Sequence, residues 1–236
     1  MTQELFREDA YLEQATARVT AVDERGIQLD RTVFYPRGGG QAGDAGTLAV
    51  DAKGASIAIA DTVKGEGGAI LHVPAPGQDL AALAPGDEVV AKIDWNRRHR
   101  HMRFHTATHL LCAIVPYQTN GCSITPDYAR LDFDMVEPLD REHLERELAR
   151  LVDEAHPTRT IWVTDEEMDA KPELVRTMSV KPPRGVGRVR LLEIDGVDLQ
   201  ACGGTHVANT REIGRLRVAK IEKKSARTRR VVLEFA

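Results

Sequence analysis

Residues 97–116 read RRHRHMRFHTATHLLCAIVP, and the fold turns on them. Four arginines and three of the four histidines crowd the first half of this stretch. Met102, Phe104, Ala107, Leu110, Leu111 and Ile114 then recur at helical spacing, and Pro116 cannot continue the run. The pattern predicts a helix over 97–115. What precedes it has a different period, so the domain boundary is drawn just before it. Residues 1–94 form one domain and residues 95–236 the other.

Before the boundary the chain reads as short strands. TARVTAVD (16–23) and IQLDRTVFY (27–35) are joined by Glu24, Arg25 and Gly26 in a hairpin-like turn. GTLAV (46–50), SIAIADTV (56–63), AILHV (69–73) and DEVVAKI (87–93) follow, each bounded by glycine, proline or small polar residues. Closely spaced strands without a strong helix predict a small barrel or sandwich. The stretch 75–89, with Pro76, Gly77, Pro85 and Gly86, reads as a loop.

After the boundary, helices alternate with hairpins. CSITPDYARLDFDM (122–135) reads as a hairpin with Pro126 and Asp127 near its turn. Asp140 is placed to cap a helix over 141–155, which Pro157 closes. TRTIWVTD (158–165) reads as a strand and EEMDAKPELV (166–175) as a short helix capped by Thr164 or Asp165. GRVRLLEID (187–195) is strand-like, and 211–223 with 228–235 form a terminal hairpin. The class is α+β, a layered arrangement of helices on sheet.

Composition excludes several classes. Three cysteines, an odd number, do not make a disulfide framework, so the thiols are expected to be reduced. The first ten residues, MTQELFREDA, carry charges where a signal peptide needs an apolar segment. No window is apolar for the ~18 residues a membrane span needs. A cytoplasmic protein without a membrane partner is expected. The net charge of −4 gives no global attraction to nucleic acid, but cations cluster at Arg97, Arg98, Arg100 and Arg103 and again from Arg215 to Arg230.

His105 and His109 lie four apart, one above the other on the predicted helix. By themselves they are an ordinary histidine pair. No glutamate follows His105, so this is not the HExxH of zinc peptidases, which uses that glutamate as base. A second pair changes the reading. QACGGTHV (200–207) holds Cys202 and His206, four apart across a glycine-rich loop. Three imidazoles and a thiolate complete a tetrahedral zinc set, and donors drawn from so far apart in sequence suit a site that does chemistry. Cys112 sits in an apolar run and reads as core. FYPRGGGQAGDAG (34–46) lacks both the P-loop ending and the dinucleotide spacing. Its glycines suit positive φ and close approach of a ligand, with Gln41 and Asp44 beside them.

Taken together, the glycine-rich FYPRGGGQAGDAG, HTATH, and CGGTH followed by EIG resemble the AlaX family, medium-length class, free-standing relatives of the alanyl-tRNA synthetase editing domain. The resemblance runs from about residue 16 to the end of the chain. It implies a small β-barrel followed by a two-layer α/β editing domain of the threonyl/alanyl-tRNA synthetase additional-domain type. It also implies a zinc-dependent deacylase acting in trans on mischarged tRNA, Ser-tRNA(Ala) and also Gly-tRNA(Ala), with one zinc ion per chain on His105, His109, Cys202 and His206. Thr119, just before Asn120 and Gly121, matches a position that recognises the serine hydroxyl. SARTRR (225–230) departs from the family, which has a glycine-containing turn there.

With tRNA as partner, Arg97, Arg98, Lys223 and Lys224 are expected to meet acceptor-stem phosphates, and Gly38, Gly39, Gly40 and Gln41 to approach the same stem through the backbone. Backbone N–H groups of Gly203, Gly204 and Thr205 would steady an oxyanion. Three alternatives stay open: a zinc-stabilised RNA-binding or adaptor module without catalysis, another hydrolase on the same metal set, and editing of Ser-tRNA(Thr). The oligomeric state is open too.

Overall fold

The computed structural model describes residues 2–50, 54–170, 174–175 and 187–236. The chain forms two compact units, Met1–Gly38 with Ala42–His99 and Gly39–Gln41 with Arg100–Ala236.

The first unit carries β1 (Gln3–Glu4), β2 (Gln14–Asp23), β3 (Gly26–Leu29), β4 (Arg31–Thr32), β5 (Gly46–Val50), β6 (Ala55–Lys64), β7 (Ile70–Pro74) and β8 (Glu88–Ile93). Six of these close into a barrel in the order β2-β3-β7-β6-β5-β8. Alternation explains the closure: Val89, Ala91 and Ile93 of β8 and Ile57 and Ile59 of β6 point inward onto Val19, Leu29 and Leu48, while Glu88 and Lys92 face out. Gly26 ends the first hairpin turn with a φ of 144°. Only glycine takes this backbone easily, and a Cβ there would lie 2.8 Å from the His72 carbonyl oxygen.

The stretch 27–35 does not make the single strand its alternation predicts. β3 stops at Leu29, and Arg31–Thr32 pair in parallel with Gln3–Glu4 instead. The reason is a buried ion pair. Arg98 has 0% exposure and bonds Asp44 through Nε (3.0 Å) and a terminal nitrogen. Its guanidinium also donates to the carbonyls of Ala10 (2.9 Å) and Val33 (2.6 Å). Asp44 in turn accepts from the Tyr35 N–H (2.6 Å). Backbone groups at Val33 and Tyr35 are thus drawn to this pair rather than to a neighbouring strand. Arg98, expected to face RNA phosphates, is therefore a structural residue: its donors are committed to protein acceptors in the interior.

His72 is also fully buried in this unit. Its Nδ1–H donates to the Ile27 carbonyl at 2.9 Å. Its Nε2 accepts from the Thr32 hydroxyl at 2.7 Å. The Thr32 oxygen receives the Phe34 N–H at 3.0 Å, so both ring nitrogens and the hydroxyl are satisfied.

The second unit is the α+β part. Helix α1 (Trp95–Ile114) has its first turn in the first unit and the rest here. It is followed by β9 (Thr119–Ile124), β10 (Ala129–Asp134), α2 (Arg141–Asp153), β11 (Thr158–Val163), α3 (Asp165–Asp169), β12 (Val189–Ile194), β13 (Asp198–Ala201), β14 (Leu216–Ser225) and β15 (Thr228–Phe235). The strands form two antiparallel sheets, β14-β15-β10-β9 and β11-β12-β13. Leu144, Leu148, Leu151 and Val152 bury one stripe of α2. Phe104 of α1 stacks on Phe235 at 4.0 Å between centroids.

The caps follow their chemistry. Asp140 accepts the N–H groups of Glu142 and His143, and Thr164 with Glu167 makes a capping box at α3. The predicted helix over 166–175 is seen through Asp169, and residues 171–173 lie outside the described ones. β13 has no counterpart in the sequence reading: its four residues are too few to show a period. The terminal hairpin turns at Ala226–Arg227 between paired Ser225 and Thr228. Ala155 is the one described non-glycine residue with positive φ, so this turn needs no glycine, and the Ser225 hydroxyl accepts the Arg227 N–H (3.2 Å).

The buried polar groups of the first unit make its stability sensitive to pH and to the loss of a partner. Burial pushes the His72 pKa down from 6.5 to about 4, against a smaller opposing pull from the Ile27 carbonyl. The folded ring is the weaker base, so protons bind the unfolded chain first. The neutral ring's contribution is full above pH 6.5, falls as the pH drops through the window to 4, and is lost below it. It amounts to about 3 kcal/mol, read as the difference in urea stability between the wild type and His72→Gln across that window. Arg98→Met leaves Asp44 charged and unmatched in the interior, and is expected to cost about 3–5 kcal/mol in the same measurement.

Candidate metal centre

Two elements of the second unit deliver the donors. Helical rise places His105 and His109 of α1 on one face. Their ring centroids are 5.6 Å apart. The loop after β13 supplies Cys202 and His206, and the His206 ring stands 4.4 Å from that of His105 and 5.0 Å from that of His109. The four ligand atoms all lie within 4.8 Å of one another. Cys202 Sγ is 3.5 Å from His105 Nε2 and 3.2 Å from His206 Nε2. The three histidines are 4–6% exposed.

Each imidazole is held by its outer nitrogen. His105 Nδ1–H donates to Gln41 Oε1 (2.7 Å), and His109 Nδ1–H to Asp198 (3.0 Å). His206 Nδ1 lies 3.4 Å from Thr106 Oγ1, whose own hydrogen goes to the Met102 carbonyl. All three rings therefore turn Nε2 towards the common centre, in the tautomer that binds a metal. Asp198 is itself braced by the Gln200 amide at 2.9 Å.

Electrostatics separates the two cysteines near this region. Burial alone would keep the Cys202 thiol protonated, but the imidazoles of His105 and His206 packed against the sulfur override it and hold its pKa well below the ordinary value. At Cys122 burial wins and pushes the thiol up to about 12, so it stays protonated. Burial likewise keeps His206 well below 6.5 and neutral. At His109 burial pulls the same way, but Asp198 and the Cys202 sulfur outweigh it and push the ring up to about 10. A thiolate and three Nε2 atoms converging on one point are a donor set suited to zinc. A metal held by these residues would have to displace the His109 proton at neutral pH.

Gly204 is dictated by packing: a Cβ there would run into the His105 ring. Gly203 is the exposed residue of the loop, while Gly204 and Thr205 are buried. Thr205 gives its N–H to Gln41 Oε1 (3.2 Å), and its hydroxyl accepts from Gln41 Nε2 (2.9 Å). The Thr205 N–H is thus engaged within the protein. Gln41, expected to approach RNA, has 0% exposure and spends its amide on His105 and Thr205; it belongs to the site's support. Thr119 is buried at the start of β9, in register with Phe133. Cys112 is buried, as expected of a core residue. Gly39 is exposed, Gly38, Gly40 and Arg97 are half-buried, and Lys223 and Lys224 are exposed near the end of β14. Gly40 (φ 84°) leaves only 2.7 Å between a virtual Cβ and Cys122 Sγ.

Asp198 and Thr106 carry functional contacts that sequence reasoning missed. The sole signal for Asp198 was its alternation with Gln200 and Cys202, which puts it on the ligand's side of the strand.

A barrel, an α+β unit and a His/His/Cys/His cluster describe the editing class of synthetase-related proteins. Residues 189–232 match the family model for the threonyl and alanyl tRNA synthetase second additional domain, and residues 6–97 the model for class II (A) tRNA synthetases. The alanyl-tRNA editing protein AlaX-M of Methanosarcina acetivorans is 36% identical over 98% of both chains, and that of Saccharolobus solfataricus 35% over 98% of both. The alanine–tRNA ligase of Metallosphaera sedula is 37% identical over 94% of this chain, which spans 25% of that enzyme. The chain belongs to the AlaX-M family of alanyl-tRNA editing proteins. Among the described residues no helix is long and apolar enough to cross a membrane.

The carboxylate behind His109 gives a direct test. Asp198→Asn removes the charge that orients the ring, and zinc affinity is expected to fall roughly 10–100-fold in competition with a chromophoric chelator, with the circular dichroism spectrum unchanged. Wild-type affinity would show that Asp198 only packs.

Proposed function

We propose that this chain is a trans-editing hydrolase that removes the wrong amino acid from tRNA, with Ser-tRNA(Ala) as main substrate and Gly-tRNA(Ala) as a second. The observation that carries this is the convergence of His105, His109, Cys202 and His206 within 4.8 Å, in a chain related along its whole length to alanyl-tRNA editing proteins. In this reading one zinc ion sits on the four side chains, residues 95–236 carry the hydrolytic part, and residues 1–94 form the glycine-rich barrel part.

Zinc bound there supplies a Lewis acid for the ester carbonyl. The chain's own groups do the rest. Gln41, Thr106 and Asp198 keep the imidazoles in one tautomer. Gly203, at the exposed edge of the loop, and Gly204 offer N–H groups to the developing oxyanion. Thr119 is assigned to the serine hydroxyl. A buried polar group that loses its partner when alanine binds supports discrimination on the order of 10⁴. Glycine, lacking the hydroxyl, is accepted through looser fit.

The partner is tRNA, met at the acceptor stem and the aminoacylated 3′ end. Gly38, Gly39 and Gly40 suit backbone approach, and Arg97, Lys223 and Lys224 suit phosphates. A deacylation panel of Ser-, Gly- and Ala-tRNA(Ala) and Ser-tRNA(Thr), with and without chelator, tests the reading. Chelator-sensitive hydrolysis of Ser-tRNA(Ala), with Ala-tRNA(Ala) spared, is the expected result, and no hydrolysis by zinc-loaded protein rejects it. His206→Ala is expected to stay folded and lose deacylation, whereas an adaptor whose zinc serves only folding would unfold. Reversing Lys223 and Lys224 to glutamate is expected to raise KM and to reduce the salt slope by about one for each phosphate no longer neutralised.

A further inference from the structure

Beyond the metal donors, the second unit exposes an aromatic residue on the sheet that carries Cys202. Trp162 of β11 is 44% exposed. It pairs with Arg190 of β12. Arg190 stands opposite Cys202, whose N–H bonds the Arg190 carbonyl (3.1 Å). Trp162, Arg190 and Cys202 therefore form one row across three strands. Paired residues share a face, so Trp162 stands on the side from which Asp198, in alternation with Gln200 and Cys202, reaches His109. Two strand spacings, about 10 Å, separate the Trp162 and Cys202 backbones.

The side chains along this row are ordered. The Arg190 guanidinium lies towards the ligand loop, donating to the carbonyls of Cys202 (2.8 Å) and Gly204 (3.0 Å), and also to the Thr160 hydroxyl (3.0 Å). Arg188 places its guanidinium 5.3 Å from the centre of the Trp162 ring. That is within the range at which a cation is drawn to an indole face. The row thus passes from a metal donor, through a committed arginine, to a solvent-facing indole with a cation against it.

An exposed indole with a guanidinium against it is the side-chain chemistry on which unpaired nucleobases stack. Position decides the occupant. If the bond to be cleaved joins an acyl group to the ribose of the last nucleotide, the base on that ribose must lie within a nucleoside's reach of the metal donors. Trp162 is a large exposed aromatic at that range on the donors' own sheet face. We propose that Trp162, with Arg188, is the stacking platform for the 3′-terminal base of the tRNA, a binding residue distinct from the metal site. This rests on the deacylase reading above and adds to it the means by which the end of the strand is held.

The test uses Trp95→Phe protein, so that Trp162 is the sole tryptophan, after confirming that this variant deacylates like the wild type. Uncharged alanine-acceptor tRNA is titrated in, followed by the same tRNA lacking its 3′-terminal nucleotide. Quenching of Trp162 fluorescence by the intact tRNA, and its loss with the truncated one, is expected. Equal quenching by both, or none by either, overturns the platform. In steady-state deacylation, Trp162→Ala should lower kcat/KM roughly ten- to a hundredfold through KM, with Trp162→Phe losing less. An unchanged kcat/KM with unchanged melting temperature also overturns it. If the wild type deacylates but quenching fails, only the platform falls. If no aminoacyl-tRNA is hydrolysed, the parent reading falls, and quenching still decides whether Trp162 meets the strand end.

Discussion

The Gln41 side-chain amide is the interaction on which the site depends. Its oxygen receives the Nδ1–H of His105 and the N–H of Thr205, and its nitrogen gives to the Thr205 hydroxyl. One amide thus ties the ligand helix to the ligand loop, two pieces of chain whose donors lie 93 positions apart, from His109 to Cys202. With Gln41 wholly buried, breaking a bond here leaves an unsatisfied polar group as well as an unguided imidazole. Two structural consequences follow. Gly204 has to be a glycine because His105 is pressed against it, and the loop cannot turn its Thr205 N–H outward.

The same logic governs the two buried ion pairs, with different outcomes. Arg98 and Asp44 each carry a charge of their own, and their pairing organises backbone at Val33 and Tyr35 that would otherwise extend a strand. Its worth lies in specifying the chain path, since a buried pair gains little net stability after desolvation. His109 and Asp198 make a pair only because the carboxylate holds a proton on the ring. There the carboxylate sets which nitrogen faces the donors, and the Gln200 amide sets the carboxylate.

What could be read from the sequence was what has a local period or a local chemical rule. The alternation in 87–93, the helix over 97–115, the Asp140 cap and the histidines at i and i+4 each need only neighbouring residues to be understood. The α+β class followed from them; the early strands allowed a barrel or a sandwich, and the barrel was implied by the family resemblance. The misreadings share a cause. Arg98 sits in a run of arginines, and a run of charge looks like a solvated face unless its partner, Asp44, 54 positions away, is known. Gln41 reads as ligand-facing because its glycine neighbours suggest approach from outside. Asp198 and Thr106 are single polar residues in a four-residue strand and a helix interior, with no signature until the rings they hold are placed. The terminal hairpin shows the converse: SARTRR lacks the glycine the resemblance led one to expect, yet a serine hydroxyl and ordinary backbone angles close the turn.

Burial also fixes the side from which a substrate can come. The three histidines are sealed behind Gln41, Asp198 and Thr106, whereas Cys202 is half-buried and Gly203 exposed. An acyl group would reach the four donors where they are least enclosed. That is the Cys202–Gly203 edge, where Gly203 is exposed and carries no side chain. Arg190 engages the Cys202 and Gly204 carbonyls of the same loop, so these two oxygens are already paired within the protein. From that edge the row runs through the buried Arg190 to the exposed Trp162, so in the proposed reading the ester and its nucleobase would lie on one face of the same sheet.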